Sequence, residues 1–185
     1  MYKKRNIALA VSGIMLLLLA GCDNEDTKPK DTASSVSASV QTGNWQVKPG
    51  KLSSVNAGDI KADLALLNVI INKSNSDNSR LLAEINKVKN DPEKVKEILL
   101  KNFENQSAIE DEIMGLTFKS GEVQEIRTQM ISNIMLTKRM YDAVKKPDFD
   151  LTKPGDEFKQ LSTQSFQMQQ QIGMALDKLN QQYNM

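Results

Sequence analysis

The sequence predicts an all-α protein, an antiparallel helical bundle of about four helices that follows a disordered amino-terminal tether. Three observations lead to this prediction. Apolar residues recur at steps of three and four from about residue 58 almost to the end of the 185-residue chain. Breaks that contain proline or glycine divide this pattern into four segments joined by short loops. No segment alternates polar and apolar residues for long enough to form a strand.

The first helical segment begins after Asn56 and continues for about 30 residues. Asn56 is a suitable N-cap, and Asp59 follows in the first turn. Only Ser74 and Asn78 are polar in its apolar seam, within a run, 72–78, of poor helix formers. Because the seam is in phase on both sides of that run, one continuous helix is predicted rather than two. The apolar seam consists of Ile60, Leu64, Leu67, Ile71, Leu81, Ile85 and Val88.

Three further helical segments follow. The second begins at Asp91-Pro92-Glu93, an N-cap followed by proline at the first helical position and an acidic first turn. Phe118-Lys119-Ser120-Gly121 ends it and caps the third segment, which ends before Pro147. A loop over 148–155 leads to the fourth segment. The second segment presents on one face Val95, Ile98, Leu99, Phe103, Ile109, Ile113 and Leu116. The third carries Val123, Ile126, Met130, Ile134, Tyr141 and Val144. The fourth has at steps of three and four Phe158, Leu161, Ser165, Met168, Ile172, Ala175, Leu179 and Tyr183.

The composition narrows the classes of function. The chain has no His and one Cys, so His-based catalysis, His-ligated metals, an intrachain disulfide and a CxxC redox pair cannot be built from it alone. Its 24 Lys and Arg against 23 Asp and Glu argue against a nucleic-acid partner, which normally requires a basic surface. We therefore expect a protein that is not an enzyme, needs no cofactor and has no evident small-molecule substrate.

The remaining candidates for chemistry also have simpler explanations. Glu110-Asp111-Glu112 fan out by about 100° per residue on a helix, so a solvated face is expected. The loop from Asp148 begins like a calcium-binding loop, but Lys153 and Lys159 replace its essential Gly and Glu. The evenly spaced methionines are five residues apart and share no ligand face: Met130, Met135 and Met140. No catalytic, cofactor-binding or metal-binding residue is predicted.

The amino terminus carries the most specific motif. Lys3-Lys4-Arg5 precedes an apolar run over 7–20, the organisation of a secretory signal peptide. The run ends in Leu19-Ala20-Gly21-Cys22, where the sequence resembles the lipobox of bacterial prolipoproteins at all four positions. The resemblance covers residues 1–22 and implies removal of a signal peptide, residues 1–21, followed by lipidation of Cys22 with S-diacylglycerol and N-palmitoyl groups. The alternative is a signal anchor with an incidental Cys.

Asp23 bears on the choice of membrane. An Asp directly after the lipidated Cys resembles the inner-membrane retention signal of enteric-type lipoproteins, which implies attachment to the inner membrane on the periplasmic side. In other lineages Asp23 is simply the first polar residue of a tether, so the outer membrane stays open. Removing residues 1–21 takes away three basic residues and leaves 21 Lys and Arg against 23 Asp and Glu. No polybasic stretch of the mature chain therefore supplies a second, electrostatic membrane signal.

The chain is predicted to have three parts: the signal peptide 1–21, the lipidated Cys22 with a flexible linker over 22–57, and a helical bundle domain over 58–185. The linker is rich in Ser, Thr, Asp, Asn, Lys, Gly and Pro, a composition that cannot bury enough apolar surface to fold. One segment differs, because it contains Trp45, the only Trp of the chain. This segment either docks on its own body or contacts a partner.

These observations predict a lipid-anchored periplasmic lipoprotein that acts as a protein-binding or assembly module of the bacterial cell envelope. Its partners would be the membrane, through the lipid anchor, and an envelope protein bound through a helical face. Confinement to the membrane surface would raise its effective concentration for that protein. Two alternatives stay open. One is a protective lipoprotein that confers toxin immunity or exclusion, and the other is a cell-wall or lipid-surface hydrolase that uses carboxylates.

Overall fold

A computed structural model describes residues 43–183, with the side chains of 104–106 left aside. The predicted signal peptide, Cys22, Asp23 and linker residues up to 42 lie outside this range. The described chain contains a short 3-10 turn, Pro49–Lys51, and no β-strand. Four helices follow the turn, which confirms the predicted all-α fold: α1 Ala57–Val88, α2 Pro92–Gly115, α3 Gly121–Val144 and α4 Asp156–Tyr183.

The helix starts are set by the capping residues that the sequence indicates. The Asn56 side chain accepts hydrogen bonds from the backbone N–H groups of Gly58 and Asp59, at 3.1 and 3.2 Å. The Asp91 side chain accepts one from the backbone N–H of Lys94 at 3.2 Å, and this bond lowers the pKa of Asp91. Each cap satisfies donors that the first turn of a helix leaves unpaired.

The order of contacts along the helices shows that neighbouring helices are antiparallel. One apolar cluster joins the first halves of α1 and α3 to the second halves of α2 and α4, and a second cluster joins the opposite halves. The first cluster includes Leu64, Leu67, Ile113, Met130 and Ile172, and the second includes Leu81, Val95, Leu99, Met140 and Phe158.

A buried polar layer separates the two apolar clusters. The predicted continuity of α1 through residues 72–78 is confirmed, and both polar residues of its seam are buried in this layer. Ser165 of α4 donates to Asn133 Oδ1 of α3 at 2.8 Å. Because these groups are paired only when the helices are correctly aligned, the layer favours this register over a slipped one. The layer consists of Ser74, Asn78, Asn133, Thr137, Ser162, Ser165 and Gln169.

Candidate functional site, a docked strap and an open helix seam

Residues 43–56, which we call the strap, lie across the end of the bundle where α1 begins and α2 passes into α3. The backbone N–H of Ser53 donates to Lys119 O at 2.9 Å, and that of Gly121 donates to Ser53 O at 2.8 Å. Nine residues earlier, the Asn44 backbone N–H donates to Leu116 O at 3.3 Å. The strap therefore follows the α2–α3 loop along its length, and we call this end of the bundle the strap end.

The strap corrects the predicted domain boundary. Residues 22–57 were expected to form a flexible linker, but 43–56 are hydrogen-bonded to the bundle and residue 57 begins α1. The bonds join residues more than 60 positions apart, so composition did not indicate them. Of the two alternatives for the segment around Trp45, docking on its own body is the one observed, since Trp45 is partly buried against the first apolar cluster. A contact between Trp45 and a partner stays a prediction.

Gln124 of α3 and Asn44 of the strap hold the strap in place through their side-chain amides. The Gln124 side-chain amide donates to the carbonyl oxygens of Trp45 and Val47, at 2.9 and 2.6 Å. The Asn44 side chain forms two bonds with the backbone of Phe118, donating to its carbonyl at 2.6 Å and accepting from its N–H at 2.9 Å. Backbone polar groups of the strap thus find partners on the bundle, as groups removed from water require.

Arg127 of α3 lies at the centre of these contacts and has no exposed surface. Its guanidinium donates to Gln124 Oε1 at 2.8 Å, to Asn44 Oδ1 at 2.7 Å and to Leu116 O. It also lies 4.2 Å from the centre of the Phe118 ring, within the range of a cation–π interaction. Arg127 therefore joins the strap, the α2–α3 loop and α3 through one rigid planar group.

Asp63 of α1 is the second buried charge at the strap end, with 2% of its surface exposed. Its carboxylate accepts hydrogen bonds from the backbone N–H groups of Lys119 and Ser120, at 2.9 and 2.7 Å, and from the Ser120 hydroxyl at 2.6 Å. Burial lowers the pKa of Arg127 to about 10, and the charge of Asp63 opposes that shift. Arg127 remains protonated at neutral pH and is electrostatically coupled to Asp63.

Neither buried charge was identified from the sequence, although a signal was present. Asp63 lies three residues after Ile60 and Arg127 lies four residues after Val123, so each occupies the apolar face of its helix. A charged residue at such a position must find partners when the face packs. Searching apolar seams for charges would have selected both residues.

Among the described residues, α1 and α4 are the one adjacent pair of helices that no ion pair joins. Ion pairs join each of the other adjacent helix pairs: Lys73–Glu112 for α1 and α2, Lys138–Glu110 for α2 and α3, and Arg139–Glu157 for α3 and α4. Within residues 43–183 no ion pair joins α1 to α4, and a long hydrogen bond of 3.4 Å, Asn68 to Asn180, crosses the seam. The carboxylates of Glu110 and Glu112 point to different helices rather than to one site.

The same two helices display large apolar side chains to solvent. Val69 on α1 and Met174 on α4 are 69% and 65% exposed. Isolated exposed apolar residues are common on soluble proteins, but most of those in the described chain lie on α1 and α4. We call the exposed surfaces of α1 and α4 that carry Leu66, Val69, Phe166 and Met174 the α1–α4 face.

The fold and these surfaces define a small helical-bundle domain whose own chain closes one end. The chain belongs to the family described as uncharacterised lipoprotein PM1805, which it matches over residues 61–184. No curated protein and no solved structure matches it.

Membership in this family supports the lipoprotein prediction made from the lipobox and indicates membrane anchoring through a lipid. Among the helices described, none is both long enough and apolar enough to span a bilayer. The family match begins after the strap, so it does not include the strap residues.

Replacing Gly43 with Ala should loosen the start of the strap. A Cβ at this position would collide with the backbone carbonyl oxygens of Met114 and Leu116. Since backbone cannot move aside as a side chain can, we expect a loss of about 1–3 kcal/mol in the free energy of unfolding. Denaturant unfolding followed by Trp45 fluorescence measures this loss. Gly50→Ala is the matched control, because nothing lies within 4 Å of a Cβ there. Equal stability of the two variants would contradict the docked position of Gly43.

Proposed function

We propose that the protein is a lipoprotein anchored through Cys22 to the periplasmic side of the inner membrane, and that it acts as a protein-binding or assembly module of the cell envelope. The observation that carries the proposal is the α1–α4 face, the exposed apolar side chains on the two adjacent helices that no ion pair joins within residues 43–183. The proposed role is not enzymatic.

The chemistry of this face favours a helical protein segment as the ligand. Val69 and Leu66 are one helical turn apart on α1, and Phe166 and Met174 lie two turns apart on α4. An amphipathic helix with apolar residues at steps of three and four matches such spacing. Phe and Met are effective contact residues because one is large and rigid and the other adapts its shape.

The lipid anchor raises the effective concentration at which the α1–α4 face meets a partner. A single acyl chain attaches a protein only marginally, whereas the three chains proposed on Cys22 hold it stably. A partner in the same membrane then meets the α1–α4 face at a high effective concentration, so a modest intrinsic affinity is sufficient.

Metabolic acyl labelling with membrane fractionation tests the anchor and its location. We expect label on the wild-type chain and none on Cys22→Ala. We also expect Asp23→Ser to move the protein from the inner to the outer membrane. Unlabelled wild-type protein would refute the anchor, and an outer-membrane wild-type protein would refute the proposed role of Asp23.

Photo-crosslinking in cells tests the binding face. A photoreactive residue at position 69 or 174 should crosslink to a discrete envelope protein. The same residue at Lys101 of α2 or Asp142 of α3, both exposed, should not. Equal crosslinking at all four positions, or none at 69 and 174, would refute the proposed face. A crosslinked toxin or conjugation component in place of a resident envelope protein would support the protective role instead.

A further inference from the structure

Two exposed lysines of the strap and one of the α2–α3 loop lie at the strap end. Lys48 precedes the short 3-10 turn and Lys51 is its last residue, and the backbone N–H of Lys51 donates to Lys48 O at 2.9 Å. Lys119 lies in the α2–α3 loop, where its carbonyl accepts from the Ser53 backbone at 2.9 Å. All three side chains face solvent. Because Lys119 is 68 residues beyond Lys51, no polybasic run in the sequence reveals this group.

The charges of these lysines are not neutralised within the part of the chain described. None of the ion pairs found within residues 43–183 involves them. The nearby carboxylate of Asp63 is buried against backbone N–H groups. Glu122, in the first turn of α3, accepts from the Val55 backbone N–H at 2.8 Å, and Asp59 lies in the first turn of α1. The negative charges of Glu122 and Asp59 are thus stabilised by the dipoles of the helices in whose first turns they lie.

The strap also contains an exposed apolar residue. Val55 is 75% exposed and has a φ of 56°, a left-handed conformation that β-branched residues rarely adopt. The hydrogen bond from its N–H to Glu122 holds the backbone in this conformation. The strap end therefore presents cationic and apolar groups together, the combination that associates with the interfacial region of an anionic bilayer.

The direction of the chain brings this end to the membrane. The described chain begins at Gly43, at the strap end, and 20 residues separate it from Cys22. A polar linker of that length has a root-mean-square span of roughly 25 Å. The 32-residue helix α1 is about 48 Å long. The opposite end of the bundle therefore lies about 48 Å beyond the strap end, which is roughly twice the root-mean-square span of the linker.

We propose that the strap end is a membrane-contact surface, on which Lys48, Lys51 and Lys119 bind anionic lipid headgroups while the bundle stands upright from the bilayer. This proposal rests on the proposed lipidation of Cys22. It adds a second, electrostatic membrane signal that the linear sequence does not contain. An upright bundle points the α1–α4 face sideways, toward other proteins of the same membrane.

Trp45 provides the measurement, because it is the only Trp and lies in the strap. The full acylated chain, with acylation verified by mass, is reconstituted into vesicles of phosphatidylcholine alone or mixed with phosphatidylglycerol. Both contain a lipid with a spin-labelled headgroup that quenches nearby Trp fluorescence. We expect stronger quenching in the vesicles with phosphatidylglycerol, and we expect high salt to abolish the difference.

Two triple variants with the same change of charge complete the test. Lys48→Glu/Lys51→Glu/Lys119→Glu should lower quenching to the level seen in phosphatidylcholine alone. The control Lys87→Glu/Lys89→Glu/Lys146→Glu alters exposed lysines at the opposite end and should behave like the wild type. Unchanged Trp45 emission in detergent verifies that the strap is docked in each variant.

Equal wild-type quenching in the two kinds of vesicle would overturn the proposal. Persistent quenching in the strap-end variant, or equal loss in the control, would overturn it as well. The salt dependence of the wild type tests the same contact without any substitution. None of these results depends on the α1–α4 face, and acylation is established beforehand. A failure here is therefore distinct from a failure of the proposed function.

Discussion

Replacing Arg127 with Leu is expected to lower the free energy of unfolding by about 3–5 kcal/mol, because each buried acceptor that is left unpaired costs about 1–3 kcal/mol. The substitution removes the donors that satisfy Asn44 Oδ1, Leu116 O and Gln124 Oε1, all at the centre of the strap contacts. It also removes a positive charge that interacts electrostatically with the buried Asp63. Urea unfolding followed by circular dichroism and by Trp45 fluorescence measures the loss.

Two matched arginine variants separate the strap contacts from general effects of the substitution. Arg127→Lys keeps the charge but cannot donate through a planar fork, so an intermediate loss is expected. Arg139→Leu, on the same helix, removes an exposed ion pair and should cost less than about 1 kcal/mol. If Arg127→Leu were as stable as Arg139→Leu, the central role of Arg127 would be refuted.

Asp63→Ala should be the second strongly destabilising change, with an expected loss of about 3 kcal/mol. The carboxylate of Asp63 is the hydrogen-bond acceptor for the backbone N–H groups of Lys119 and Ser120, which are 2.9 and 2.7 Å away. Without it these donors lose their partner at the point where α3 begins. The loss is measured by urea unfolding, as for Arg127.

The control and a double variant sharpen this test. Glu84→Ala, at an exposed position of the same helix, should change the free energy of unfolding by less than about 0.5 kcal/mol. In the double variant Asp63→Ala/Arg127→Leu the two losses should not add, because both side chains hold the same α2–α3 loop through Lys119, Ser120 and Leu116. Fully additive losses would show that the two charges act independently.

The helices could be predicted from the sequence because their signals are local. Asn56 and Asp91 cap the helices that they precede, and proline follows Asp91 at the first helical position. The continuity of α1 through Ser74 and Asn78 followed from the phase of the apolar seam, which outweighs the weak helix propensity of that run. Capping and periodicity act over a few residues, so one sequence contains them completely.

The strap could not be predicted because its bonds are long-range. Asn44 is 74 residues from Phe118 and 83 from Arg127. Nothing within the polar composition of residues 43–56 indicates that the Gln124 side-chain amide will donate hydrogen bonds to their carbonyl oxygens. The lysine group and the α1–α4 face also depend on which helices meet. Only the burial of Asp63 and Arg127 could have been predicted from the sequence, because both residues lie on the apolar faces of their helices.

The strap also determines when the fold can be completed. A chain that emerges amino terminus first presents Asn44 early, but its docking surface does not exist until residues as far as Arg127 have followed, 83 positions later. Docking of the strap is therefore a late event in the maturation of the protein. During that interval the strap is not yet joined to the bundle, and the lipid attachment proposed at Cys22 can take place on a chain whose body has still to close.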